Sequence, residues 1–372
     1  MGVPLRQQLE VARYILGKAL RGERRYPLVL MLEPLFRCNL ACAGCGKIDY
    51  PAEVLDRRLS LEECLGAVDE CGAPIVSIAG GEPLLHQEMP AIVRALTQRR
   101  KYVYLCTNAL LLTRRLRDYS PSPYLTLSVH LDGNRERHDA SVCRPGVFER
   151  AVEAIRLALR EGFRVTVNCT VFQGESAQEV AQFMDGVAAL GVEGVTISPG
   201  FSYAHAPRQD VFLRRTATKQ FFRDLFKLGR RRPWAFNHSS LYLDFLAGNR
   251  QYRCTPWGNP TRNVFGWQRP CYLLVDEGYA PSFRALMEET PWASYGTGRN
   301  AKCDDCMAHC GYEATAAADA LAHPWKALWA RLRGPRTDGP MAPEWMREGE
   351  TGEARPAIMH WVRHGDRKAG AR

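Results

Sequence analysis

Between Pro27 and Gly200, six short apolar runs alternate with longer amphipathic stretches. The runs PLVLMLEPL, PIVSIAGG, YVYLCTN, YLTLSVHLDG, RVTVNCTV and GVTISPG are rich in β-branched, aromatic and aliphatic residues and lead into turn-forming residues. Each reads as a β-strand that delivers the chain into a loop. The intervening segments LSLEECLGAVDECG, EMPAIVRALTQRR, VFERAVEAIRLALREG and SAQEVAQFMDGVAALG repeat their apolar residues every three or four positions, the period of a helix with one buried face. Strand and helix units in this succession predict a parallel sheet wound right-handed with helices outside. The predicted fold class is therefore α/β, a partial (β/α)6 TIM-like barrel, with its chemistry in the loops after the strands.

The flanks of this region differ from it. Upstream, LRQQLEVARYILGKALRGERR sets Leu5, Leu9, Ala12, Ile15, Leu16 and Ala19 on one helical face and Arg6, Arg13, Lys18 and Arg21 elsewhere. Such a face either packs on its own protein or rests on an anionic membrane. Downstream, all eight Trp follow the basic junction KLGRRRPW. The predicted organisation is an amphipathic helix over 1–24, the barrel over 25–230, a smaller Cys- and Trp-rich C-terminal domain over 231–348 and a polar tail over 349–372.

Composition narrows the partners. The formal charge of +10 is carried almost wholly by arginine, with only eight of the 50 basic residues being lysine. These are spread along the chain, which predicts solvated surface and no nucleic-acid interface. Without a run of about 18 apolar residues or a signal-peptide pattern, the expected location is the cytoplasm, with the first helix as a peripheral contact at the inner face of the membrane. Thirteen cysteines in a reducing compartment predict free thiols and metal ligation in place of disulfides.

The loop after the first strand, RCNLACAGCGKIDYP, carries Cys38, Cys42 and Cys45 and no fourth cysteine. Buried thiols filling apolar space do not explain three within one glycine-bearing loop. A zinc knuckle needs a fourth Cys or His, which the loop lacks. A four-iron cluster held by three thiolates keeps one iron open for a small molecule. With this CxxxCxxC loop following a first strand, the chain resembles the radical S-adenosylmethionine enzymes. That resemblance implies a [4Fe-4S] cluster on Cys38, Cys42 and Cys45, with S-adenosylmethionine (SAM) chelating the open iron as co-substrate. It also implies an electron donor such as flavodoxin or ferredoxin. SIAGGEPLLH resembles that family's glycine-glycine-glutamate motif, here Gly80, Gly81 and Glu82, expected to cradle the methionine portion. Asn108, Ser128, His130 and Asn168, with Thr107 and Ser198, stand at later strand ends as cofactor or substrate contacts, each with helix or turn capping as the alternative.

LEPLFRCNLACAGCGKIDYP, SIAGGEPLLH, SVHLDG, PWGNPTRNVFGWQRPCYLL, EGYAPSF and CDDCMAHCGYEATA together resemble the adenosyl hopene transferases of bacterial hopanoid biosynthesis. The resemblance implies radical addition of the 5′-deoxyadenosyl group to the terminal alkene of diploptene, giving adenosylhopane once a hydrogen atom quenches the product radical. A thiol S–H is weaker than the tertiary C–H it would form. Cys106, at the end of the third strand and facing as Asn108 does, is the expected donor, with apolar filling as its alternative; Cys143 and Cys169 are held in reserve. In the C-terminal part, Cys254, Cys271, Cys303, Cys306 and Cys310 predict a second iron-sulfur cluster or zinc, with His309 as a substitute ligand or a surface or helix-capping histidine. Trp257, Phe265 and Trp267 either wall an apolar substrate cavity or pack a core.

Three functions fit these residues: adenosyl transfer to a hopene, hydrogen abstraction from a peptide by an enzyme with an auxiliary cluster, and a non-catalytic electron carrier. The paired CxxxCxxC and Gly80-Gly81-Glu82 weigh against the carrier, which needs no open iron beside a nucleoside pocket. A single helix before the first strand, with no leader-binding domain, weighs against the peptide enzyme.

Overall fold

A computed structural model describes residues 2–203 and 205–343. The polar tail, with Trp345 and Trp361, lies outside the described residues. Each of the six apolar runs is a strand: β1 (Val29–Glu33), β2 (Ile75–Ile78), β3 (Tyr102–Thr107), β4 (Leu125–His130), β5 (Arg164–Val171) and β6 (Val195–Pro199). Each pairs in parallel with the next, as the strand-helix alternation requires.

The helices form where the periodicity places them, and local chemistry fixes their ends. Leu61–Cys71 starts at a capping box, in which Ser60 Oγ accepts from the Glu63 N–H at 3.2 Å and the Glu63 carboxylate accepts from the Ser60 N–H at 2.7 Å. It stops at Gly72, whose φ of 68° only glycine adopts without strain. Helix Met89–Gln98 buries Met89, Ile92, Val93 and Leu96 on one stripe. At about 1.5–3 kcal/mol per buried side chain, those four contribute roughly 6–12 kcal/mol as an upper bound, which offsets the ordering of one short helix.

Three further strands, β7 (Thr261–Asn263), β8 (Gly266–Gln268) and β9 (Tyr279–Ala280), extend the sheet beyond β1. The order is β6-β5-β4-β3-β2-β1-β7-β8-β9, with β7 parallel to β1 and the last two antiparallel. The barrel sheet and the C-terminal region therefore share one set of backbone hydrogen bonds. At the other edge a single bridge from Val195 to Phe236 carries the chain past β6.

Strand alternation sorts the side chains. Leu30 and Leu32, Val76 and Ile78, Val103 and Leu105, and Leu127 and Val129 point to the helix layer and are buried in the main core. Their neighbours point inward and line a cavity of about 1250 Å³ that occupies the barrel interior. Helix Leu5–Leu20 lies by the strands' N-terminal ends. Gln7 donates to the Tyr104 hydroxyl at 3.0 Å and the Tyr102 hydroxyl donates to Glu10 at 2.8 Å. The predicted apolar face divides here: Ile15 is buried, whereas Leu5, Leu9 and Leu16 are exposed.

Candidate active site

All three cysteines of the first loop, Cys38, Cys42 and Cys45, line the cavity at the strands' C-terminal end. Two glycines make the loop's position possible. A Cβ on Gly80, whose φ is +108°, would stand 2.4 Å from the Leu35 carbonyl oxygen, and one on Gly81 would stand 2.2 Å from that of Arg37. Because neither has one, the Gly81 and Glu82 N–H groups donate to Leu35 and Arg37 at 2.9 Å each. These glycines, expected to cradle the methionine portion of SAM, line the cavity, and their close backbone neighbour is the cysteine loop itself. Glu82 likewise has a bracing role: its carboxylate, 1% exposed, accepts from Thr107 Oγ1 (2.8 Å), the Asn108 N–H (2.8 Å) and the Leu84 N–H (3.0 Å). Burial raises its pKa against these three bonds.

Asn108 ties the third strand to the loop by donating to Asn39 Oδ1 at 2.7 Å, with Cys38 Sγ 3.8 Å away. Ser128, His130 and Asn168 line the cavity from β4 and β5. Burial alone would lower the His130 pKa, but Asp132, 2.7 Å away, outweighs it and the net shift is upward. Asp132 moves the other way, below the usual carboxylate range: its desolvation is opposed by the charge and hydrogen bond of His130, the Thr170 N–H and His138, which together outweigh it. The thiols of Cys38 and Cys42 are pushed up chiefly by burial, Cys38 to about 11. Metal binding would displace those protons.

Cys106 faces the cavity, half-buried, with Ser77 Oγ at 3.6 Å and Ser128 opposite it in register. Burial raises its pKa and keeps the proton on sulfur. Neither reserve cysteine reaches the cavity: Cys169 points to the helix layer and is fully buried, and Cys143 sits on the surface at a φ of 54°. Below Cys106 the lining brings in apolar and aromatic side chains, Met31, Ile75, Tyr104, Phe226, Trp234 and Phe236, beside polar ones such as Gln7, Asn237 and Arg232. Trp257, Phe265 and Trp267 are absent from it. Trp267 packs on Phe283 with ring centroids 5.0 Å apart, Trp257 on Trp292 at 5.6 Å and Phe265 on Tyr279 at 5.3 Å, so the packing alternative holds for all three.

Several cavity residues carry no sequence signal. Lys47 and Glu33 form a buried ion pair at 2.8 Å beside the cysteine loop. Glu33 is legible only as a carboxylate at an inward position of an otherwise apolar strand. His309, expected as a metal ligand or a surface group, lines the cavity instead, with Nδ1 2.6 Å from Ser198 Oγ and its ring centroid 5.7 Å from that of His238. Burial lowers its pKa to about 3, so the ring is neutral.

Cys254, Cys271, Cys303, Cys306 and Cys310 converge behind this wall. Burial raises Cys254 first, and all four other thiols add to the shift. Cys306 in turn feels Cys271 and Cys303. Gly311 makes room for the group, since a Cβ there would stand 2.6 Å from Cys254 Sγ. Among the described residues no three His, Cys, Asp or Glu side chains meet as closely as one metal ion requires. That holds for this set and equally for Cys38, Cys42 and Cys45. The chemistry of both sets, several thiols facing one another, fits the wider ligand spacing of an iron-sulfur cluster.

Two family models match the chain: Radical SAM superfamily over residues 32–187, and Domain of unknown function (DUF3463) over residues 195–330. An AdoMet-dependent heme synthase of Methanosarcina barkeri is 31% identical over 170 residues, covering 44% of this chain and 48% of the relative. A GTP 3′,8-cyclase of Synechocystis is 28% identical over 153 residues, covering 40% and 47%. The chain thus spans about half the length of these curated relatives. Among solved structures, Streptococcus suis SuiB bound to precursor peptide SuiA superimposes with a TM-score of 0.61 at 16% identity, over 82% of this chain and 75% of that one. The structure of anSMEcpe with bound AdoMet gives 0.54 at 16% identity, over 82% and 100%. At these identities the likeness concerns the fold.

Proposed function

We propose, from the premise that this chain is a radical SAM enzyme, that it joins the 5′-deoxyadenosyl group to the terminal alkene of an apolar polycyclic hydrocarbon, diploptene, making adenosylhopane. Cys38, Cys42 and Cys45 would hold the [4Fe-4S] cluster, and SAM bound there, on receiving one electron from the flavodoxin- or ferredoxin-type donor, would break its C5′–S bond to give methionine and the 5′-deoxyadenosyl radical. The observation that carries the proposal is the Cys106 thiol facing one large cavity that also holds the three-cysteine loop and aliphatic and aromatic side chains such as Met31, Ile75, Phe226 and Phe236. In the addition, C5′ bonds to the alkene CH2, the π bond breaks, and the unpaired electron moves to the tertiary carbon. Cys106 then gives its hydrogen atom to that carbon and is left as a thiyl radical. A second electron from the same donor and one proton restore the thiol.

The residues around Cys106 suit this task. Ser77 and Ser128 hold the thiol in place without withdrawing its proton, while Phe226, Trp234 and Phe236 keep water and stray hydrogen donors from the radical. The cavity exceeds the roughly 300–1,000 Å³ of an ordinary ligand site, which suits a nucleoside and a polycycle held together. The five C-terminal thiols are the proposed seat of a second iron-sulfur cluster, with zinc as the other occupant.

A second reading, hydrogen abstraction from a peptide, is supported by the likeness in fold to peptide-bound SuiB. One experiment separates the two. Anaerobically reconstituted protein with SAM, a reductant and diploptene should form an adenosyl adduct visible by mass spectrometry. Release of 5′-deoxyadenosine without adduct rejects adenosyl transfer and leaves the abstraction reading.

A further inference from the structure

We propose that the outward faces of helix Leu5–Leu20 and helix Pro324–Arg333 form one docking surface for an anionic lipid bilayer, at the mouth through which an apolar substrate enters. The docking stands by itself; the entry route rests on the apolar-substrate reading above.

Every exposed large apolar side chain among the described residues lies on one of these two helices: Leu5, Leu9, Leu16 and Leu20 on the first, and Trp325, Leu328, Trp329 and Leu332 on the second. Their exposures run from 42% at Leu328 to 87% at Leu20. On each helix they fall at three-, four- or seven-residue spacing, so they form a stripe. On the first helix that stripe is turned away from buried Gln7 and Ile15. Two such stripes left exposed among the described residues, one at 5–20 and one at 324–333, mark an interaction surface.

Continuity with the cavity joins them. Gln7, Gln8 and Val11 of the first helix and Ala327, Leu328 and Leu332 of the second line the same interior space that reaches Cys106 and the cysteine loop. Leu328 and Leu332 are at once exposed and part of that lining.

Charge selects the occupant. Both helices carry more bases than acids, Arg6, Arg13 and Lys18 against Glu10 on the first and Lys326, Arg331 and Arg333 on the second. With Arg6, Lys18 and Lys326 paired to Glu10, Glu23 and Asp319, Arg13, Arg331 and Arg333 supply the positive charge for a headgroup layer. The Arg333 guanidinium lies over the Trp329 ring, 4.4 Å from its centroid, the amphipathic pairing that suits a headgroup boundary. At 16 and 10 residues, neither helix is long and apolar enough to cross a bilayer. They would lie in its surface, apolar stripes in the acyl boundary and cations at the phosphates.

The test uses the purified full-length holoenzyme and two kinds of vesicle, phosphatidylglycerol mixed with phosphatidylcholine, and phosphatidylcholine alone. Sedimentation should recover the protein with the anionic vesicles. Trp325→Ser/Trp329→Ser and Leu9→Glu/Leu16→Glu should each weaken that recovery by about tenfold or more, and high salt should weaken it further. In the first double variant, turnover of detergent-dispersed substrate should stay within about twofold, while turnover of vesicle-borne substrate falls. Failure to bind anionic vesicles, or binding that both double variants retain, overturns the proposal. So does a dimer in light scattering that W325S/W329S converts to monomer, since the face then belongs to a second copy. Protection of Trp325 and Trp329 from oxidative footprinting in the vesicle-free monomer does the same, since the chain itself then covers them. Vesicle binding with no adenosyl adduct would refute the reaction and leave the docking surface standing.

Discussion

Cys106→Ala separates a hydrogen-atom donor from a packing residue. The thiol faces an open cavity and has only weak polar neighbours, Ser77 Oγ at 3.6 Å, the Tyr104 carbonyl oxygen at 4.0 Å and Ser128 across the strand pair. Truncation therefore deletes a sulfur from a wall that is already half-exposed, and the stability cost is about 1 kcal/mol or less, well below the roughly 2–5 kcal/mol of a tightly packed core truncation. If the thiol quenches the product radical, the cost in turnover is of another order. A donor fixed in the site is replaced by donors that must diffuse in, and completed product should fall by about a thousandfold, some 4 kcal/mol of barrier. The assay is anaerobic turnover in D2O. The exchangeable thiol deuterium should enter wild-type product as a single atom at the former alkene carbon. Cys106→Ala, and Cys106→Ser with its stronger O–H bond, should still consume SAM but give little saturated adduct, with unsaturated or misquenched species in its place. Wild-type rates and clean single deuteration in Cys106→Ala would remove the thiol from the mechanism.

Other parts of the site make further predictions. Gly81→Ala drives a Cβ to 2.2 Å from the Arg37 carbonyl oxygen; it should destabilise by about 3 kcal/mol or more and lower iron loading, read by thermal unfolding and iron analysis, and normal values for both would contradict the close-packing role. Lys47→Met leaves Glu33 charged and buried and should cost about 3–5 kcal/mol, whereas Lys47→Met/Glu33→Leu should recover most of it; no recovery in chemical unfolding would mean that the pair acts through something other than charge. Serine at Cys254, Cys306 and Cys310 together should remove about half the bound iron and sulfide while the SAM-dependent spectral change persists, and unchanged metal content would reject a second centre. For the His130–Asp132 pair, Asp132 is lowered, so its contribution is present above the unfolded value near 3.8 and lost as pH falls through the folded value; His130 is raised, so its contribution is full below about 6.5 and lost as pH climbs through the folded value. The stability gap between wild type and Asp132→Asn should peak at roughly pH 4–6.5, and a gap that keeps widening above that window would exclude the pairing.

What the sequence disclosed follows from which signals are local. The six barrel strands and the helices between them have a period that a short window contains, and all six strands form in parallel order. The same period-two alternation puts Cys106 and Asn108 on the inward side and sends Cys169 to the helix layer. Strands β7 to β9 escape because TRN, GWQ and YA are too short to have a period, and β7 exists by pairing with β1 more than two hundred residues earlier. His309 escapes for a related reason. Its spacing to Cys306 and Cys310 suggests a ligand, but its position is set by Ser198, 111 residues away. The aromatic side chains in the lining, Phe226, Trp234 and Phe236, have no common sequence signal: they are grouped by the bridge that draws Phe236 to β6, by the Phe226–Phe236 ring contact at 5.8 Å and by the Trp234 hydrogen bond to Asp185.

The layering of the cavity bears on the order of events. Its end near the cysteine loop is walled by Glu33, Lys47, Glu82, His130 and Asp132, and its far end by Val11, Ile75, Phe236 and Leu328 together with polar side chains such as Gln7, Asn237 and Arg331. Sliding a hydrocarbon past the charged end would strip hydration from groups whose bonds are already made within the protein, at a cost that grows with each buried charge left without water. Entry from the far end avoids the buried Lys47–Glu33 pair, and the apolar surface covered there contributes about 25 cal/mol per Å². On the adenosyl-transfer reading the two substrates then arrive from opposite ends and meet at the level of Cys106, and the hydrocarbon's remaining body seals the lower passage. A bound hydrocarbon should accordingly slow the escape of 5′-deoxyadenosine, so uncoupled release of that nucleoside should be faster without hydrocarbon than with a saturated, unreactive analogue. Equal release rates would mean that the polycycle does not occupy the passage below Cys106.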